Sequence, residues 1–349
     1  METSVFDRIR GSIMETRQNL SEWLRMVPAR NREVRLGPAA EPAMQTHLTV
    51  LDTAIAKTKD HTLGICQVCH GYVEPELLEM DYTACVCLSH FSGEERRLLE
   101  ADLELSQKIQ KALLPQHAPN IPGLELAVFS RPAQIVGGDY FDFFPFGDGS
   151  HGLAIADVAG HGMASSLLMA SVQTALRTLV PTTDSPADVL RHLNRFFCHN
   201  IHMTTFVTLF LAQFDPVRRI LTYGSAGHNP PLLYRHQASS GDPCVWLEPT
   251  GAAIGLIEEY KISTQTVELA RGDILLLYTD GVTEAINAVE DQFGRDRLAA
   301  LVHQAADLSA KEVVQKVRHG LQEFTNGQPL ADDTTILVAK MNGQDQVAL

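Results

Sequence analysis

Positive charge is what this chain has least of. Across 349 residues, 28 Lys+Arg stand against 42 Asp+Glu, a net charge of −14. So acidic a chain does not hold a nucleic-acid backbone by bulk electrostatics, and no nucleic-acid partner is expected. The acid excess falls mainly after residue 92. Long apolar runs are missing too. None approaches the roughly 18–20 residues of a membrane span, and the N-terminus carries no signal-peptide core. No membrane association and a cytoplasmic location are therefore expected. Cysteine is sparse, 6 in all, with four crowded between Cys66 and Cys87, which excludes a disulfide framework spread over the fold. The remaining composition, 45% hydrophobic and 20% charged, suits a soluble chain of two or three domains.

The N-terminal third is helical in pattern. Val5, Ile9, Ile13, Leu20, Trp23 and Leu24 share one helical face, and Leu48, Leu51 and Ile55 mark a second helix over 43–59. Between them lies a polar stretch with Arg30, Arg32 and Arg35, read as a solvated linker in preference to a phosphate contact. Cys66-Gln-Val-Cys69 has the knuckle spacing of a zinc site, in which two thiolates on one turn grip a tetrahedral ion. Cys85-Val-Cys87 supplies a second pair with one intervening residue, and His70 and His90 are spare ligands. Cys66, Cys69, Cys85 and Cys87 are the expected zinc set; a thiol redox switch and reduced bystander cysteines are the alternatives. The segment from Gly64 to Leu78 resembles the zinc finger of DksA/TraR-type proteins over about 25 residues, and departs from it at the second pair.

Residues 93–114 predict a helix whose stripe of Leu98, Ala101, Leu105, Ile109 and Ala112 is set among Glu, Arg, Lys and Gln; Pro115 ends it. A homodimer through this stripe is one expectation, a helix packed on its own domain the other. From Leu124 the texture changes to short β runs at 124–129, 152–156, 206–214, 219–223, 231–234, 264–269, 274–278 and 335–340, with helices at 163–179, 186–199 and 311–324. Strands interrupted by a helix pair predict an α+β fold, a layered β-sandwich flanked by helices. The expected divisions are a helical region 1–60, a zinc-finger-like segment 61–92, a linker helix 93–116, a catalytic domain 117–342 and a tail 343–349.

Within that last domain, acids sit beside glycines or at strand boundaries in four separate stretches. They are Gly137-Gly-Asp139, Asp157 at the end of Leu153-Ala-Ile-Ala, Thr279-Asp280-Gly281, and Asp332-Asp333-Thr-Thr. One such acid is a turn residue; four at the ends of buried strands point to a common centre. Carboxylates gathered in a core repel one another unless divalent cations neutralise them, and all-oxygen ligation selects Mg²⁺ or Mn²⁺. Two such ions suit an in-line displacement at phosphorus. Gly137-Gly-Asp-Tyr-Phe superficially resembles the GGDEF signature of diguanylate cyclases, but that reading leaves Asp157, Asp280 and Asp332 without a role.

Six stretches, Gln110–Pro115, Val136–Asp142, Ile155–Gly162, Gly224–Pro230, Gly272–Ala285 and Ala331–Thr335, occur in the order found in SpoIIE/RsbU-type phosphatases. These are bacterial members of the metal-dependent PPM superfamily of serine/threonine phosphatases, and the resemblance spans roughly residues 107–340. It implies that Asp157 bridges two Mn²⁺ or Mg²⁺ ions and that the Val158 carbonyl joins one of them. Asp280 and Asp332 would complete the second ion's shell, and Asp139 would position the attacking water. It further implies a phosphoserine or phosphothreonine substrate on a small STAS-type anti-anti-sigma protein in a partner-switching pathway. His161 is a candidate acid for the leaving group or a turn residue. His228 is read as structural, and Cys198 and Cys244 as bystanders. The rival from another class is a phosphatase-shaped scaffold that acts by partner binding.

Overall fold

A computed structural model describes residues 3–26, 40–80, 82–160, 162–200, 205–237, 242–258, 261–328 and 331–342. His161, the arginines at 30, 32 and 35, and the 343–349 tail lie outside the described residues. The chain begins with α1 (Thr3–Met26), α2 (Ala40–Lys59) and the short α3 (Pro75–Met80), followed by the long α4 (Gly93–Leu113). Buried Ile9, Ile13 and Leu20 of α1 meet Met44, Leu51 and Ala54 of α2. The same cluster takes in Leu63, Cys66, Val73, Leu78 and Cys87, so the cysteine segment shares one core with the helices before it. No described helix is long and apolar enough to cross a membrane.

Among the described residues, ten strands then form two antiparallel sheets. The strands are β1 (Leu124–Arg131), β2 (Tyr140–Pro145), β3 (His151–Val158), β4 (Val207–Asp215), β5 (Ile220–Ala226), β6 (Leu232–Tyr234), β7 (Cys244–Trp246), β8 (Gln265–Glu268), β9 (Ile274–Tyr278) and β10 (Thr334–Met341). One sheet runs β1-β10-β9-β6-β7 and the other β2-β3-β4-β5-β8. Alternation along the strands sends one set of apolar side chains between the sheets, among them Phe141, Phe143, Ile155, Phe210, Leu275 and Leu337. The opposite set, including Ala154, Ala156, Leu209 and Leu211, meets α5 (Gly162–Leu179) and α6 (Pro186–Asn200). On the far side Leu276, Tyr278, Ile336 and Val338 meet α8 (Gly294–Gln304) and α9 (Ala310–Phe324). Between β9 and α8 the chain makes a single helical turn, α7 (Asp280–Thr283). The result is four layers, helix–sheet–sheet–helix, as the strand and helix pattern predicts.

Register decides where the strand ends meet. Tyr140 opens β2 opposite Ala156, near the end of β3. Ile336, near the start of β10, lies opposite Tyr278 at the end of β9. Asp139, Asp157, Asp280 and Asp332 therefore belong to strand ends on one side of the sandwich. Helix α4 opens with a reciprocal cap, in which the Glu95 N–H donates to Ser92 Oγ and the Ser92 N–H donates to the Glu95 carboxylate.

Candidate active site and cysteine cluster

The loop entering β2 joins the two sheets. Thr279 Oγ1 donates to Asp139 Oδ2 at 2.8 Å, and Thr335 Oγ1 donates to the same oxygen at 2.7 Å. Both threonines come from the sheet that does not contain β2, and they are tied to each other because the Thr335 N–H donates to Thr279 Oγ1 at 3.0 Å. Asp139 Oδ1 is buried and has no hydrogen-bond partner. An orphaned carboxylate oxygen at such depth is costly unless something positive meets it. Burial first, then the charges of Asp333 and Asp332, push Asp139 well above the usual carboxylate range, against the pull of the two hydroxyls.

Asp157 is under the same pressure. Burial, followed by the charges of Asp280, Asp139, Asp332 and Asp333, raises it well above the usual range. Asp332 is raised to about 7 by burial and by Asp280 and Asp333, with Glu284 adding to the effect. Five carboxylates thus feel one another at this end of the sandwich. The backbone is also shaped for them. A Cβ on Gly138 would lie 2.7 Å from the Val158 carbonyl oxygen, and one on Gly137 would lie 2.1 Å from Asp333 Oδ2, so only glycine lets this loop come so close. A bare carboxylate oxygen, a crowd of further carboxylates and a backbone carbonyl under a glycine cradle form an all-oxygen donor set. That set fits a hard divalent cation.

Neighbouring acids have divided the work. Asp333 accepts from the Ala133 N–H at 2.8 Å and the Gly138 N–H at 2.6 Å, so it holds the loop that carries Asp139. Asp142, in the same motif as Asp139, is fully buried and accepts a two-pronged bond from Arg177, at 2.8 and 2.7 Å. It fastens α5 to β2. Sequence reading also missed Gln110. Its Nε2 donates to the Gly137 carbonyl at 2.5 Å, and its Oε1 accepts the Gly137 N–H at 3.2 Å, so the last turns of α4 clamp the site loop. No sequence pattern links residues so far apart; the only signal was that Gln110 belongs to one of the six ordered stretches.

His228 is buried, with Nδ1 at 2.9 Å from Thr208 Oγ1, the residue paired across the ladder with Asp157. Burial lowers it to about 3, so the ring is neutral, and its Nε2 is buried without a hydrogen-bond partner. Cys198 is buried and Cys244 half-buried. An open cleft of about 470 Å³ is lined by His228, Asn229, Glu284, Gln292 and Arg295 among others; Glu284 is the residue whose charge helps to raise Asp332.

At the N-terminal end, the knuckle forms as its spacing predicts. The His70 N–H donates to the Cys66 carbonyl, the Cys66 N–H donates to the Gly71 carbonyl, and Ile65 bridges to Tyr72. The fourth member differs from expectation. Cys66, Cys69, Cys87 and His90 have their ligand atoms within 4.8 Å of one another, and Cys85 is not in the group. The chain bends at Val86, which separates the side chains of Cys85 and Cys87, while a 3₁₀ turn over Leu88–His90 returns His90 toward Cys87. In a 3₁₀ turn residues i and i+3 eclipse, which is the spacing of Cys87 and His90.

Comparison with known proteins agrees with this geometry. The profile of the family described as Stage II sporulation protein E (SpoIIE) matches residues 147–342. The chain is 31% identical over 243 residues to the phosphoserine phosphatase RsbU of Bacillus subtilis, covering 69% of this chain and 70% of that protein. It is 26% identical to the phosphoserine phosphatase RsbP of the same species, over 68% of this chain and 57% of the other. In three dimensions it superposes on the SiaA-PP2C domain of Pseudomonas aeruginosa with a TM-score of 0.63 at 22% identity, covering 72% of this chain and all of that one, which gives the fold. On these grounds the chain belongs to the SpoIIE family of serine/threonine phosphatases, built on a PP2C-type fold.

Proposed function

We propose that the chain is a metal-dependent phosphatase that removes phosphate from phosphoserine or phosphothreonine on a regulatory protein of STAS type, in a partner-switching pathway. The observation that carries the reading is Asp139, oriented by two threonines with one buried oxygen left bare among four other acids. Two Mn²⁺ or Mg²⁺ ions held by Asp157, the Val158 carbonyl, Asp280, Asp332 and Asp139 would supply the charge that activates a water and offsets the charge gathering on the phosphoryl oxygens. The chain's own part is orientation. Thr279 and Thr335 fix the plane of the Asp139 carboxylate through Oδ2, leaving Oδ1 to face the cation. Asp333 and Gln110 hold Gly137 and Gly138, and with them the approach to the Val158 carbonyl. A phosphorylated regulatory partner is supported by likeness to RsbU and RsbP, named phosphoserine phosphatases. The exposed stripe of α4 is the proposed seam of a homodimer.

The test is release of phosphate from a phosphorylated STAS-domain protein and from p-nitrophenyl phosphate, with Mn²⁺ varied. Asp157→Asn is expected to abolish both reactions while the fold survives. A variant retaining more than about a tenth of wild-type turnover, a barrier change below about 1.4 kcal/mol, overturns the Asp157 assignment. Cleavage of phosphoserine peptides with no cleavage of any phosphorylated STAS domain overturns the substrate class alone.

A further inference from the structure

The cysteine cluster stands apart from the acid site and uses a different chemistry. Its four groups come from two places in the chain. Cys66 and Cys69 belong to a knuckle seated on the core of α1 and α2, and Cys87 caps and His90 ends the 3₁₀ turn that leads toward α4. Cys69 Sγ and Cys87 Sγ are 3.5 Å apart. That is far beyond the roughly 2.05 Å of a disulfide, and close to the sulfur–sulfur edge of about 3.8 Å in a tetrahedron with Zn–S bonds of about 2.3 Å. Backbone donors already point at one sulfur, since the N–H groups of Val68 and Cys87 both lie 3.4 Å from Cys66 Sγ. Donors of this kind stabilise a thiolate that ligates a metal. Cys66 and Cys87 are buried while Cys69 and His90 are exposed, so an ion has a route in from solvent.

We propose that Cys66, Cys69, Cys87 and His90 bind one Zn²⁺ in a closed tetrahedral site, with Cys85 outside it, and that this ion anchors the N-terminal end of α4. Three thiolates and one imidazole suit zinc and exclude the hard ions of the acid cluster. Closed coordination leaves no position for water, so the role is structural. The anchoring follows from placement. His90 lies two residues before Ser92, the cap of α4, and the turn that ends at His90 is already tied back to the knuckle side by the Leu88 N–H, which donates to Glu74 at 2.8 Å. Without the ion, the two halves of the site are joined by weak sulfur contacts, by the bonds from the Gln67 N–H to the Cys85 carbonyl and from the Leu88 N–H to Glu74, and by the apolar core that takes in Cys66 and Cys87. The proposal is independent of the phosphatase reading.

The experiment uses the full chain with Mg²⁺ in excess throughout. Metal analysis is expected to give close to one zinc per chain, and zinc-edge X-ray absorption to give three sulfurs and one nitrogen. Four sulfurs, or a chain that takes up no zinc when it is supplied, overturns the site. Cys85→Ser is expected to keep both the zinc and the spectrum; loss of either overturns the ligand set. His90→Ala is expected to weaken zinc at least tenfold in competition with a chromophoric chelator. His90→Cys restores binding with a four-sulfur spectrum and guards against misfolding of the alanine variant; an unchanged spectrum there overturns the role of His90. For the anchoring, zinc is withdrawn with a soft nitrogen chelator that leaves Mg²⁺ in place. Amides 92–97 are expected to exchange hydrogen at least tenfold faster after withdrawal, and equal exchange overturns the anchoring.

Discussion

A carboxylate with one oxygen held by two hydroxyls and the other bare is aimed before any cation arrives. Thr335 therefore acts through Asp139, as an outer-shell partner acts through a ligand. Thr335→Val keeps the branched shape and the buried volume but deletes the hydroxyl, so the sheet stays intact while Asp139 gains rotational freedom. The expected result is a rise of about tenfold in the Mn²⁺ concentration needed for half-maximal hydrolysis, read by metal titration, with the circular dichroism unchanged. An unaltered titration would remove Thr335 from the orienting role. At this scale the sequence pointed to Asp139, Asp157, Asp280 and Asp332, each beside a glycine or at a strand end, and the structure brings these acids within one another's electrostatic reach. It was silent on how Asp332 and Asp333 differ. The groups that distinguish them, the Ala133 and Gly138 N–H donors, lie about two hundred residues back in the chain. Cys85 lies outside the group of ligand atoms that the structure brings together, and spacing alone does not register the bend at Val86 beside it.

The helix α4 presents Leu98, Leu105 and Ile109 to solvent at 62, 55 and 52% exposure. Three large apolar residues along one stripe of an otherwise charged helix are the pattern of a seam between two helices. Leu105→Glu and Ile109→Glu place charge in that stripe, which a solvated helix tolerates and a buried seam does not. The expected outcome is loss of dimer by light scattering and altered turnover of a phosphoprotein, with p-nitrophenyl phosphate hydrolysis less affected. Both variants dimeric with unchanged turnover would leave α4 a spacer. Periodicity located α4 and most strands to within a few residues, because their apolar stripes are uninterrupted. It missed β2, whose Tyr-Phe-Asp-Phe-Phe run does not alternate cleanly because both faces are buried. It also missed α8, whose first turn carries Arg295, Asp296 and Arg297 ahead of its buried Leu298 and Val302.

In the whole molecule, the two sheets share one acid-rich end, and its cohesion depends on pH. Asp332 is held at about 7, above the roughly 3.9 of an unfolded chain. A raised carboxylate favours the folded state while it keeps its proton. That contribution is complete below about pH 4 and is lost as pH rises through about 7. Asp139 and Asp157 are raised in the same direction. Above that window the metal-free site carries unneutralised charge, and divalent ions take over from protons. Mn²⁺ at about a hundred times its dissociation constant would add about 2.7 kcal/mol, or roughly 5–10 °C in the thermal midpoint of a domain this size. The shift is expected in full at pH 8 and to be small at pH 5, where the same carboxylates hold protons; scanning fluorimetry at the two pH values measures it. Equal shifts would mean that the ion binds elsewhere. The four-layer order was legible from strand and helix pattern, whereas the meeting of the strand ends depended on ladder register, which no local pattern records.

The clamp of Gln110 on Gly137 has a consequence for how such proteins are assembled from parts. Leu114, at the end of the same helix, packs against the core between the sheets and also against the core under α5 and α6. A fragment beginning at residue 117 would hold every strand and every acid, yet its Asp139 loop would have lost a support. The workable seam for exchanging the N-terminal region therefore lies upstream of Ser92, and α4 travels with the phosphatase fold.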